Sequence, residues 1–65
     1  MNKVAGYRKM LNFNQREMAF KMNISLQSYS NKERGLVSFK DSEKILFKEL
    51  LIQIFPNITI DDIFF

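Results

Sequence analysis

Sixty-five residues with 46% apolar content and neither cysteine nor histidine leave room for one small domain, 1–65. They exclude thiolate or imidazole metal ligation, thiol nucleophiles, imidazole bases and a disulfide framework, so no catalytic residue, cofactor, metal or small-molecule substrate is expected. The net charge of +3 is uneven: residues 1–34 carry seven Lys or Arg against two acids, a local +5, and residues 35–65 carry three Lys against five acids, a local −2, a field whose usual partner is a polyanion.

Val4, Tyr7 and Leu11, with Ala5 beside them, recur at helical spacing and predict a first helix over 3–12 capped by Asn2. Asn14 and Glu17 then form a capping box, with Phe13 and Met18 as the flanking apolar pair, so a second helix begins at Gln15. Glu17 and Lys21 stand one turn apart within it, and Asn23, able to adopt the left-handed conformation, ends it. Ser25 caps a third helix over 26–34, with Ile24 and Tyr29 as its staple and Gly35 as its stop. After a loop over 36–40, Asp41 or Ser42 caps a fourth helix whose Ile45, Leu46, Leu50 and Ile54 recur at helical spacing up to the limit set by Pro56. Thr59 and Asp62, with Ile58 and Ile63, open a fifth short helix through Phe65. A strand is the rival reading of that tail, but a lone strand would lack a partner.

The joint of residues 23–25 is short enough to make the second and third helices cross steeply, with Ala19 as the small residue at the contact, which is the geometry of a helix-turn-helix. On a helical wheel Ile24, Ser28, Tyr29 and Lys32 turn toward the body or its rim. Leu26, Gln27, Ser30, Asn31 and Arg34 point outward. Gln27 and Asn31 offer the paired donor and acceptor that suit an adenine edge, and Leu26 suits a thymine methyl group, so these three are the candidate base-reading residues. Arg16, Ser30, Arg34 and Lys40 are candidate phosphate contacts, any of which could instead be solvated, as could Lys9.

Arg8, the run Gln15-Arg16-Glu17-Met18-Ala19, Met22-Asn23-Ile24-Ser25, Tyr29 and Glu33-Arg34-Gly35 together resemble the Cro and phage-repressor class of helix-turn-helix domains, the xenobiotic-response-element family. The resemblance spans essentially the whole chain and implies an all-α, five-helix lambda-repressor-like bundle. Among such proteins, small phage Cro-like regulators and modulators of repression are nearest in size. It further implies that Gln15 binds a backbone phosphate and helps to orient Gln27, that Leu26, Gln27 and Asn31 read bases, and that Arg8 and Glu33 form a partly buried salt bridge. The chain departs from the family at Asn23, where Gly is usual, at Tyr29, where Ile or Val is common, and at Lys32, which is generally apolar. The Lys32 ammonium is expected to escape to water along its stem or to meet an acidic group on phosphate or a protein.

The function expected from these features is a sequence-specific transcriptional regulator that inserts its third helix in the major groove of a double-stranded DNA operator. One helix covers few base pairs, so a homodimer is expected, with Ile60, Ile63, Phe64 and Phe65 as the candidate interface and packing of that tail on the chain's own core as the comparable alternative. The alternative is an antirepressor that forms a heterodimer with a phage repressor through the same helical face, motivated by a reading helix without Arg that carries Leu26 and Tyr29. Asp61 and Asp62 have no third ligand, and one of them serves the helix start, so no metal role is expected for them. The longest apolar stretch, 45–55, is broken by Lys48, Glu49 and Gln53 and is too short for a bilayer, and no signal peptide is read at the start, so a cytoplasmic protein is expected.

Overall fold

A computed structural model describes residues 2–65. Helices begin in it wherever a side chain takes up the first free N–H groups. Asn2 Oδ1 accepts from the Ala5 N–H at the head of α1 (Lys3–Met10), and Ser25 Oγ accepts from the Ser28 N–H at the head of α3 (Leu26–Glu33). Reciprocal capping boxes open α2 (Gln15–Met22), through Asn14 and Glu17, and α5 (Ile60–Phe64), through Thr59 and Asp62. The start of α4 (Asp41–Leu51) differs from expectation. The cap position is Lys40, and its backbone N–H is satisfied at 2.8 Å by the carboxylate of Glu43, three residues on. Neither Asp41 nor Ser42 is the cap, because Glu43 satisfies that donor from inside the first turn.

The helix ends follow backbone handedness. Asn23 adopts φ 58°, ψ 41°, and its N–H bonds back to the closing turn of α2, while Gly35 at φ 84° terminates the segment after α3. Asn12, also left-handed at φ 61°, closes the turn after α1, so that helix stops at Met10 rather than at residue 12. α4 stops at Leu51, short of the limit set by Pro56: the Leu51 carbonyl accepts from both Ile54 and Phe55, tightening the chain into a turn.

Five helices and no strand are found among the described residues, and none of the helices is long and apolar enough to cross a membrane. The core is Met18, Ala19 and Met22 of α2, Tyr29 of α3, Phe47 and Leu51 of α4, Ile58, and Ile63 of α5. Ala19 lies buried where α2 packs on α3 across residues 23–25. The buried stripe of α4 is Phe47 and Leu51, with Leu46 and Leu50 on its flank. Ile45, expected on the same face, is 48% exposed because the stripe is turned away from it, and Ile54, 47% exposed, lies past the helix in the turn that follows. Of the two readings of the tail, packing on the chain's own core applies to Ile63 and Phe64. Ile63 is fully buried and Phe64 packs on Phe39 and Phe47, so Ile63 is consumed by the chain's own core and cannot serve an interface. Of the four residues only Phe65, at 76% exposure, stands clear, and Ile60 is half-buried.

The left-handed joint yields a stability prediction. Replacing Asn23 by Ala should cost about 1 kcal/mol in urea unfolding, because Ala keeps the Cβ that crowds the carbonyl in that conformation and lacks the short amide that offsets it, whereas Asn23→Gly, with no Cβ, should be neutral or slightly stabilising. Equal losses for both variants would mean that the Asn side chain, and not its backbone angle, holds the turn.

Candidate nucleic-acid interface

The last turn of α3 is polar yet buried. Glu33 receives the Arg8 guanidinium from α1, with Nε–Oε2 at 2.7 Å and Nη2–Oε1 at 3.3 Å, and the same arginine donates to the Phe13 carbonyl at 2.8 Å. Gln15 Nε2 of α2 donates to Glu33 Oε1 at 2.9 Å, and Asn2 Nδ2 donates to the Glu33 backbone carbonyl at 2.8 Å. The adjacent Lys32 is buried as well, and its ammonium meets both carboxylate oxygens of Glu43 at 2.8 Å. This corrects the expectation that Lys32 reaches water or an outside anion: its acidic partner is internal, eleven residues along the chain.

Burial by itself would push the Glu33 and Glu43 carboxyls up. For Glu33 the hydrogen bonds, with Arg8 first, outweigh that effect, and for Glu43 those from Lys32 and the Lys40 N–H do so; both groups are held below the ordinary carboxylate range. Arg8 is pushed up, chiefly by its hydrogen bond to Glu33. Burial raises the Tyr29 hydroxyl, which is the one buried side-chain polar atom among the described residues without a hydrogen-bond partner.

Beyond this clamp α3 presents an outward row. Leu26, Gln27 and Arg34 are exposed, and Ser30 and Asn31 are half-buried. Gln27 Nε2 donates to Asn31 Oδ1 at 3.0 Å, and Arg34 Nη2 donates to the same oxygen at 3.2 Å, so three of the expected contact residues form one hydrogen-bonded line. Gln15 is not part of it. Its amide bonds Glu33, and the partner that orients Gln27 is Asn31. Arg16, on the first turn of α2, and Lys40, before α4, are exposed and make no ion pair among the described residues.

Glu43 and Asn2 were missed as members of this arrangement. A lysine at an inward position was the available signal, because a buried ammonium demands a carboxylate near it. Comparison with family models, curated proteins and solved structures finds no match for this chain.

Lys32→Met should lose about 3–5 kcal/mol, since it strands a buried carboxylate. That approaches the whole stability of roughly 3–10 kcal/mol ordinary for this chain length. Lys32→Met combined with Glu43→Gln, which retains an acceptor for the Lys40 N–H, should recover most of the loss, as read by denaturant unfolding.

Acid should act through the same groups. Because both carboxyls titrate lower in the folded chain than unfolded, their contribution is complete above the ordinary glutamate value of about 4.3 and fades as pH falls from there through the lowered folded values. Thermal melts at stepped pH should show this fall. A melting temperature flat through that range would contradict the pairing.

Proposed function

We propose that this chain is a DNA-binding transcriptional regulator in which α2 and α3 act as a helix-turn-helix and α3 enters the major groove. The observation that carries the proposal is the outward row on α3: two neutral amides and an arginine in one hydrogen-bonded line, on a helix whose opposite side is fastened to α1, α2 and α4 by buried polar contacts. Rigid presentation of amide and guanidinium donors is what base-edge recognition requires. Leu26, Gln27 and Asn31 read bases, while Arg16, Ser30, Arg34, Lys40 and the remaining N–H of Gln15 hold phosphates. The regulator acts in the cytoplasm as a homodimer on a two-fold operator, with Phe65 and the edges of Ile60 and Phe64 as the available apolar contact.

A second reading has its own support. With Lys32 taken up by Glu43, no free cation remains on α3 between Leu26 and Glu33, which suits a protein surface better than a phosphate-lined groove. On that reading the chain is an antirepressor whose α3 face covers a phage repressor.

Fluorescence anisotropy separates the two. Duplex DNA from the adjoining control region should bind with affinity that falls steeply with salt and resists nonspecific competitor. Gln27→Ala should shift sequence preference and leave helicity intact. Weak, sequence-blind binding together with tight association with a neighbouring regulator would instead favour the antirepressor.

A further inference from the structure

An arginine can only donate, and this fixes the orientation of two neighbouring amides. The Asn31 atom that receives Arg34 must be its oxygen, and the Gln27 atom that bonds the same oxygen must be its amide nitrogen. Both lone pairs of Asn31 Oδ1 are thereby used. Of the two amides, the atoms left without a partner among the described residues are Gln27 Oε1, an acceptor, and Asn31 Nδ2, a donor.

We infer that Gln27 and Asn31 read a single adenine jointly, Gln27 Oε1 accepting from the N6 amino group and Asn31 Nδ2 donating to N7, with Arg34 as the positioning residue that holds Asn31 in this orientation. The inference rests on the DNA-reading proposed above. Adenine is the base whose major-groove edge carries one donor beside one acceptor; guanine offers two acceptors, and cytosine and thymine each offer one polar group. Either amide alone could bind adenine with both its atoms if it were free to turn. Here the oxygen of Asn31 is fully engaged, so Asn31 brings only its Nδ2 donor, while Gln27 keeps its Oε1 acceptor and one amide hydrogen; reading of N7 by that hydrogen is the alternative that the probes below exclude or reveal.

The test begins with selection of binding sites by the full chain from a randomised duplex library. At the adenine assigned in the selected duplex, one probe carries 7-deazaadenine, which lacks N7, and a second carries unsubstituted purine, which lacks the N6 amino group. Each probe should weaken wild-type binding about three- to tenfold, half of a two-bond contact. Gln27→Ala should become indifferent to loss of the amino group and Asn31→Ala to loss of N7, at the same base pair. Arg34→Met should reduce the preference for adenine over guanine there, beyond the uniform affinity loss that a missing phosphate contact would produce.

Circular dichroism should show that the three variants remain helical. If Gln27→Ala alone abolishes sensitivity to both probes, or if the two amides map to different base pairs, shared reading is overturned and DNA recognition by α3 stands. Selection that yields no preferred sequence overturns the DNA-reading and this inference with it.

Discussion

Two neighbouring residues of opposite charge, Lys32 and Glu33, are drawn inside at the end of α3, and each meets its counter-charge on a different helix. Arg8 reaches Glu33 from α1 and Glu43 reaches Lys32 from α4, while Gln15 adds a bond from α2. Buried ion pairs contribute little net stability, since desolvation offsets most of the attraction, but separating either pair here would leave a buried charge uncompensated, which ties α3 to α1 and α4 in this arrangement. α3 is held in that arrangement by its last turn, and its opposite side remains outside.

The same pairing redistributes the surface field. Arg8 and Lys32 supply two of the seven positive charges in the basic half, yet both are neutralised internally. What faces solvent there is Lys3 and Lys9 on α1, Arg16 and Lys21 on α2, and Arg34 just past α3, with Lys40 following. The middle of α3 is therefore neutral between flanking cations. On the proposed DNA reading, attraction to a polyanion would come from the flanks, and discrimination from hydrogen bonding and shape along the neutral stretch.

Local features were legible in the sequence because their physics is local. Asn2, Asn14, Ser25 and Thr59 sit where they were expected to cap, and Asn23 and Gly35 end their segments in left-handed conformations. Two helix ends escaped although their turns are local, because apolar spacing continues past them. The left-handed Asn12 lies in a turn that the apolar spacing of α1 runs straight through, and the end of α4 at Leu51 reflects how the following turn returns Ile58 to the core. The hydrogen-bonded line along α3 was half visible: periodicity places Gln27, Asn31 and Arg34 on one face, but only coordinates show that Arg34 fixes which way both amides point.

Lys32 shows why an anomaly at an inward position carries information. Charge and pattern together say that its ammonium must reach water or meet an anion, and they point to water, a phosphate or an acidic group on a protein. Glu43 answers that requirement while also taking the Lys40 N–H that opens α4, so one carboxylate fixes both the start of a helix and its docking on α3. A single group serving two donors is also a point of fragility, since the helix start and the interhelical pair depend on the same charge. In so small a core, the placement of the outward row is therefore coupled to the ionisation of a residue that never faces it.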